Sequence, residues 1–265
     1  MSRRPNQRGF SLVELMVVAI VFTLITGVVF TVLIAAQQRY KIESEVLNSF
    51  NGANVAIDQM TRDIHQAGYP PANTYTPAAI IANRLLVALP FSWEVGYPLL
   101  PACTMGTGGT CAPTPNSDDI IVETVPDPSV SSKVQWIRYQ LPAGSHTLLR
   151  AMVQKTVGDP VLLTNGSLSP YLDGVMNNAS AAEIASIQTY YPNMFPGNAA
   201  VPIFTYYCST GAGVAPQLCT TANTALDIAQ VQISLIVEAS AVDPKTHQPR
   251  IVTLTGQAIR INPNQ

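Results

Sequence analysis

The chain has 265 residues, of which 47% are hydrophobic and only 11% are charged, with a net charge of −2 at pH 7. Soluble domains average about 25% charged residues, so this composition excludes a disordered polyelectrolyte and offers no basic surface for nucleic acid. The 21 prolines and 16 glycines argue against an all-helical bundle, because both residue types interrupt helices.

The first predicted element is a long apolar segment near the N-terminus. The residues from Leu15 to Ala36 carry no formal charge, and about 20 such residues cross a bilayer as a helix. A secretory signal has a shorter apolar region of about 7–15 residues before a small-residue cleavage site, whereas this segment ends at Gln37-Gln38-Arg39. Arginines at positions 3, 4 and 8 precede it, which predicts a single membrane pass with a cytoplasmic N-terminus and an exported remainder.

One carboxylate, Glu14, interrupts the apolar stretch that begins at Phe10. A charge inside the membrane costs roughly 2.5–3.5 kcal/mol on insertion scales. Hydration at the membrane surface is one explanation for Glu14. The other is an amine partner: if the chain is cut after Gly9, the new amine of Phe10 lies about one helical turn away, or the amine belongs to a neighbouring subunit. We favour an amine partner, because the flanking residues agree with it.

Those residues read Gly9-Phe10-Ser11-Leu12-Val13-Glu14-Leu15-Met16, after a basic leader. The string resembles the prepilin cleavage and methylation motif of type IV pilins and type II secretion pseudopilins. The resemblance implies that a membrane aspartyl prepilin peptidase removes residues 1–9 by cutting between Gly9 and Phe10. It further implies N-methylation of Phe10, entry of residues 10–36 into the membrane or a filament core, and pairing of Glu14 with an N-terminal amine.

An amphipathic helix should continue the apolar segment over residues 37–67. Apolar side chains recur at spacings of three and four residues and so form one stripe along the helix. Most charged side chains, including Asp63, lie outside this stripe. Gly68 is typical of a helix C-cap, and the Pro70-Pro71 pair cannot continue a helix. The stripe, which we expect to pack in a core, consists of Val46, Phe50, Ala53, Ile57, Met60, Ile64 and Ala67.

The exported residues 68–265 have the pattern of short strands separated by Pro, Gly and Asn. Residues 119–125 are β-branched, and residues 134–141 and 146–153 flank a four-residue loop typical of a hairpin. Apolar and polar residues alternate cleanly over residues 231–237, and residues 250–261 are the expected partner strand. In that partner the apolar positions change from one face to the other along the strand, which a one-residue bulge near Gly256 would explain. The predicted fold class is therefore α+β and pilin-like: a long helix packed on a mainly antiparallel β-sheet domain.

Four cysteines occur as two pairs, and each pair lies within or beside an apparent insertion rich in Pro, Gly and small residues, residues 98–116 and 171–213. In an exported chain an even cysteine count predicts disulfides, and four cysteines allow three connectivities. We favour local pairing because each pair brackets a glycine-rich turn. A metal site lacks both the CxxC spacing and nearby histidines. The two expected disulfides are Cys103–Cys111 and Cys208–Cys219.

The chain further resembles large minor pilins of the PilW and GspJ kind. The length and the lack of a single C-terminal disulfide loop distinguish it from a major pilin. The segments that carry this second resemblance are Met60–Ile64 with Ala67-Gly68-Tyr69, Ser117–Ile120, Ile137–Tyr139, Leu148–Arg150, Phe204–Tyr207 and Val231–Val237.

No catalytic, metal or cofactor site is predicted. The histidines His65, His146 and His247 are isolated in sequence, and the Gly106–Gly109 run lacks the lysine of a phosphate loop. We interpret Asp118-Asp119 as solvated acids at a strand entry.

Three functions remain open. The first is a structural, assembly-priming minor pilin at a pilus tip or initiation complex. Its partners would be the prepilin peptidase, other minor pilins, the major pilin, the inner membrane and an assembly platform. The second is a type II secretion minor pseudopilin. The third is a tip adhesin or DNA-uptake subunit that uses the inserted loops, although removal of the leader leaves 11 basic against 16 acidic side chains, which disfavours nucleic acid.

Overall fold

The structure is a computed structural model. It describes residues 11–69, 85, 87–94, 97, 102–126, 133–209, 211, 213–243 and 248–260. The predicted cleavage site at Gly9 and Phe10, the basic leader and His247 lie outside these residues.

A single helix, α1, runs from Leu12 to His65 and is about 80 Å long at about 1.5 Å per residue. Ser11 is its N-cap and Gln66 its C-cap, so the helix ends two residues before the predicted end at Ala67. The predicted C-cap glycine, Gly68, has a φ of +83°, a left-handed conformation that turns the chain away from the helix axis. The long helix expected from the apolar pattern is confirmed.

The burial of α1 divides it into two parts. Its buried apolar residues begin at Ala53 and continue through Ala56, Ile57, Met60 and Ile64. The first two members of the predicted stripe do not join this core, because Val46 is only half-buried and Phe50 is exposed. The apolar core therefore packs on the last four turns or so of α1, and the preceding turns back to Glu45 make only partial contact with the domain.

In the described parts of the chain, eight strands form two four-stranded sheets, and each strand pair within them is antiparallel. Sheet one has the order β1-β2-β3-β4 and sheet two has the order β6-β5-β7-β8. The predicted hairpin is confirmed as β2 and β3. The strand bounds are β1 (Asp119–Thr124), β2 (Gln135–Gln140), β3 (Thr147–Gln154), β4 (Ser169–Asp173), β5 (Phe204–Cys208), β6 (Gln217–Leu218), β7 (Ile228–Val242) and β8 (Pro249–Ile259).

Two short helices cover the outer faces of the sheets. Helix α2 (Pro160–Asn165) lies against sheet one, and helix α3 (Ala181–Gln188) lies on sheet two. Asp159 caps α2 and Ser180 caps α3, where Glu183 completes a capping box. Residues 171–213 are thus not an irregular insertion throughout, because they contain the end of β4, all of α3 and all of β5.

Strand β7 supplies the centre of the main core. Its alternate residues Val231, Ile233, Leu235 and Val237 are fully buried, as the sequence alternation predicts, and they join the apolar face of α1. On the opposite face of the sheet, Ile236 packs with α3 in a second, smaller cluster. Sheet two is therefore covered on both faces, by α1 and by α3.

Strand β8 pairs with β7 without the bulge that the sequence suggested near Gly256. The register is continuous from Gln230 opposite Ile259 to Glu238 opposite Ile251, and the irregularity lies after Glu238. The bulge prediction is wrong because it assigned Ile259 to the buried face, whereas Ala258 is buried and Ile259 is exposed. Gly256 has a different role: a Cβ there would lie 2.4 Å from Cγ2 of Ile57 on α1.

The outer face of sheet one buries an ion pair between Glu123 and Lys155, whose atoms Oε2 and Nζ are 2.6 Å apart. The ammonium also donates to the Val87 carbonyl at 3.0 Å. Such a pair stabilises only when its remaining hydrogen-bonding capacity is satisfied. The carboxylate meets this condition through three further donors at 2.7–2.8 Å, the Leu89 N–H, the Ser92 hydroxyl and the Trp136 indole N–H.

A second buried pair joins Asp119 and Arg138 through two hydrogen bonds of 2.9 and 2.6 Å. Gln140 donates a third at 3.0 Å. Burial raises the pKa of Asp119, and the bonds from Arg138 oppose that shift. The expectation of a solvated acid is wrong for Asp119, since the strand pairing that brings Arg138 over it is not visible in local sequence.

We predict that Glu123→Ala lowers the free energy of unfolding by about 3–5 kcal/mol, because it leaves the buried Lys155 ammonium without a counter-charge. Lys155→Met should cost less, since the carboxylate keeps its three other donors. Both losses of stability are measured by thermal unfolding of the full chain in detergent, with tryptophan fluorescence as the signal. Arg250→Ala is the control, because its half-exposed pair with Asp243 spans 3.8 Å and contributes about 0–1 kcal/mol. Equal losses from Glu123→Ala and Lys155→Met would contradict this account.

We also predict that Gly256→Ala destabilises the protein by about 1–3 kcal/mol, since the new methyl group overlaps Ile57. Ile57→Ala removes the opposing Cγ2, so the double variant should lose less stability than the sum of the single variants. Gly52→Ala on α1 is the control, because its Cβ would make an ordinary contact at 3.5 Å and alanine favours the helix. Strict additivity of the two substitutions in the same unfolding assay would rule out the proposed overlap.

Candidate functional site

The first half of α1, residues 12–36, forms a continuous apolar surface that we call the apolar half-helix. Its large hydrophobic side chains are between 48% and 76% exposed. A contiguous apolar surface of this kind marks a protein or membrane contact. By length and composition α1 is able to cross a membrane. The apolar half-helix therefore fits membrane anchoring.

Glu14 is the only charged residue between Ser11 and Gln38. It lies in the first turn of α1, where the positive end of the helix dipole favours a negative charge. Among the described residues no hydrogen bond or ion pair reaches its carboxylate. By contrast, the Thr23 and Thr31 hydroxyls donate to helix carbonyls at 2.8 and 2.7 Å. Glu14 is thus a charged group of the apolar half-helix that has no partner among the described residues.

A buried triad fastens the other half of α1 to sheet one. The Tyr139 hydroxyl donates to Asp63 at 2.7 Å, and Arg150 donates to the same Asp63 oxygen at 3.1 Å and to Tyr139 at 2.9 Å. Burial and the neighbouring Asp63 carboxylate raise the pKa of Tyr139. The sequence placed Asp63 off the packed stripe, but its side chain is buried. Local sequence could not show this burial, because Tyr139 and Arg150 lie more than 70 residues away, and the one nearby partner is Gln59, which donates to the other Asp63 oxygen at 2.8 Å.

The structure pairs Cys103 with Cys111 and Cys208 with Cys219, the local pairing that the sequence favours. The first disulfide loop is also bonded to the chain that directly follows the second, residues 220–225. Met105 N–H donates to the Asn223 carbonyl at 2.9 Å, and Ala225 N–H donates to the Cys103 carbonyl at 3.0 Å. The backbones approach closely, since a Cβ on Gly106 would lie 2.9 Å from the Thr220 Cα. The loops therefore form one unit.

This unit lies at the end of the domain opposite the apolar half-helix. Strand β7 runs antiparallel to α1. Near its start Gln230 pairs with Ile259, whose carbonyl oxygen contacts Nδ1 of His65, and near its end Ser240 donates to Glu45. The chain that leads into β7, which carries the second disulfide, thus lies beyond the C-terminal end of α1. We call this region the distal end.

A cavity of about 480 Å³ opens between the two disulfide loops and strand β5; we call it the distal cavity. Burial raises the pKa of the Tyr206 hydroxyl that borders it, so this group stays neutral, and it donates to the Asn116 carbonyl at 2.7 Å. Residues that line the cavity include Gly106, Thr107, Asn116, Thr205, Tyr206 and Leu218.

The structure does not bring the described histidines together. His65 contacts the Ile259 carbonyl, and His146 lies 3.3 Å from Glu183. Within the described parts of the chain, no group of three or more His, Cys, Asp or Glu side chains is arranged to hold a metal ion.

Comparison with known proteins gives one match. Residues 4–30 match the family described as Prokaryotic N-terminal methylation motif. No curated protein matches the chain, and no solved structure does. The matched residues include Gly9, Phe10 and Glu14 and the start of the apolar half-helix. The match supports a type IV pilin-like protein, either pilin or pseudopilin, which is a structural subunit processed by a prepilin peptidase and assembled with other pilins.

Proposed function

We propose that the chain is a minor pilin, a structural subunit that primes assembly of a type IV pilus from its tip or from an initiation complex. The observation that carries this proposal is the apolar half-helix, which begins close to the expected cleavage site with a carboxylate, Glu14, that has no partner among the described residues. An ordinary anchor needs only the apolar residues, and Glu14 makes insertion costlier. In a helix that moves from the bilayer into a bundle of like helices, the same carboxylate is favourable, because it pairs there with an N-terminal amine.

Processing supplies the missing partner. Removal of residues 1–9 creates an amine on Phe10, which lies within about one helical turn of Glu14 or reaches the Glu14 of an adjacent subunit. In apolar surroundings an unpaired carboxylate or amine is unfavourable, and pairing satisfies both. The pair thus sets the axial register between neighbouring apolar half-helices. N-methylation of Phe10 retains the positive charge.

The positive leader orients the subunit. Arginines at positions 3, 4 and 8 hold the N-terminus in the cytoplasm and place the β domain in the periplasm, from which assembly carries it to the cell surface. The Asp63 triad and the α1 core make the domain and the helix one body. A neighbour that engages the apolar half-helix therefore positions the distal end about 80 Å away.

Two other functions use the same parts. A type II secretion minor pseudopilin has the same processing motif and the same helix. A tip adhesin is favoured by one observation, the disulfide-braced cavity at the distal end. DNA uptake is disfavoured by the acidic excess of the processed chain, 16 acidic against 11 basic side chains.

Mass spectrometry of the N-terminal peptide tests the proposal, with sheared surface fibres and membranes analysed separately. We expect a peptide that starts at methylated Phe10 in the fibre fraction, and loss of fibres when the subunit is deleted. Processed protein confined to membranes would favour a pseudopilin or an initiation complex that remains there. Fibres of normal number without the subunit would favour an adhesin, and residues 1–9 still attached in both fractions would leave an ordinary membrane anchor.

We predict that Glu14→Ala permits cleavage and membrane insertion but reduces incorporation into fibres by about tenfold or more, the effect of losing an ion pair worth about 1.4 kcal/mol or more. Quantitative mass spectrometry of fibres and membranes measures the ratio. Glu43→Ala is the matched control, because Glu43 is an exposed carboxylate on the same helix outside the apolar half-helix. Normal incorporation of Glu14→Ala would remove the role assigned to Glu14.

A further inference from the structure

We propose that the distal cavity binds an uncharged, polyhydroxylated ligand, namely a saccharide. Its volume of about 480 Å³ falls within the range of small-molecule sites, about 300–1,000 Å³. The cavity belongs to neither the apolar half-helix nor the Glu14 site. The inference rests on the proposed function only for how the cavity reaches the outside of the cell, because binding itself requires just the folded domain.

The cavity is preformed. A disulfide closes each of the two loops that border it, and Cys111 and Cys219 themselves line it. Two backbone hydrogen bonds, from Met105 to Asn223 and from Ala225 to Cys103, fix the first loop against the chain that directly follows the second loop. A cavity whose walls are already ordered loses little conformational entropy when a ligand enters.

The described walls carry no charged side chain, which decides the class of ligand. None of the described lining residues is Asp, Glu, Lys, Arg or His. Residues 95–117 and residues 184–226 contain none of these five residue types. The two carboxylates that act on Tyr206 already have partners, since Asp119 pairs with Arg138 and Asp118 accepts a hydrogen bond from Ser117. An anion or a cation bound here would give up water without meeting a counter-charge, and that desolvation is strongly unfavourable. Phosphorylated, acidic or basic ligands are therefore disfavoured.

The remaining chemistry suits a neutral ring that carries hydroxyl groups. Thr107 and Thr205 are among the lining residues, and their hydroxyls make no hydrogen bond to any other described residue, so each is available as donor and acceptor. Met105, Pro202, Phe204 and Leu218 supply apolar wall. Sugar rings present both kinds of surface, hydroxyl edges and C–H faces, and this cavity offers a match to each.

Saturation-transfer NMR on the purified full chain tests the proposal, in lauryldimethylamine oxide so that no detergent sugar competes. The probes are glucose and N-acetylglucosamine, with glucuronate and glucosamine as charged counterparts of the same ring. We expect binding of at least one neutral sugar, and affinity at least about tenfold weaker for both charged rings. No transfer to either neutral sugar at up to about 10 mM, or preference for a charged ring, would overturn the proposal.

Variants locate the site. Thr205→Tyr fills the cavity and should abolish transfer, whereas Thr255→Tyr, on the exposed face of β8, should leave it unchanged. If Thr205→Tyr fails to form both disulfides, Thr107→Tyr on the exposed part of the first loop replaces it. Binding that survives the cavity-filling variant would overturn the proposal. Sugar binding does not depend on processing at Phe10, so a negative result in the sugar experiment leaves the proposed pilin function intact, and a negative result in the fibre experiment leaves the proposed sugar site intact.

Discussion

The seam between the last turns of α1 and strands β7 and β8 is the contact on which the rest of the molecule depends. It buries the apolar face of the helix against Val231, Ile233, Leu235 and Val237, and it requires Gly256 because a side chain there would enter the space of Ile57. The triad of Asp63, Tyr139 and Arg150 extends the same attachment to sheet one. Everything else in the domain is positioned relative to this seam.

A buried polar network on the outer face of sheet one fixes the arrangement of the coil at residues 87–93, whose side chains Leu89, Phe91 and Trp93 also pack in the core. Glu123 gathers donors from two loop residues, Leu89 and Ser92, as well as from Lys155 and Trp136. A buried carboxylate with four donors specifies one arrangement, since any slip of the loop leaves charged and polar groups unsatisfied. An apolar surface would have tolerated several arrangements.

Elements with local periodicity were predictable from the sequence. The 3.6-residue period of apolar side chains predicted the C-terminal end of α1 to within two residues. The two-residue alternation of apolar and polar side chains predicted β7, and the loop between two such runs predicted the hairpin of β2 and β3. What local sequence could not supply is contact between distant segments. The burial of Asp63 and Asp119 depends on arginines in other strands, and the role of Gly256 depends on a helix almost 200 residues earlier. The division of the strands into two sheets is likewise a matter of long-range pairing. The motif around Glu14 could be recognised because it is contiguous.

The antiparallel run of β7 along α1 has a mechanical consequence. The contacts from Glu45 with Ser240 to His65 with Ile259 are spread along roughly 30 Å of helix. A pull on the apolar half-helix, directed along its axis, loads these contacts in shear. They must then break together, whereas a pull across the axis would peel them apart one at a time. A subunit gripped by its N-terminal helix therefore resists tension along that helix with the strength of its whole seam.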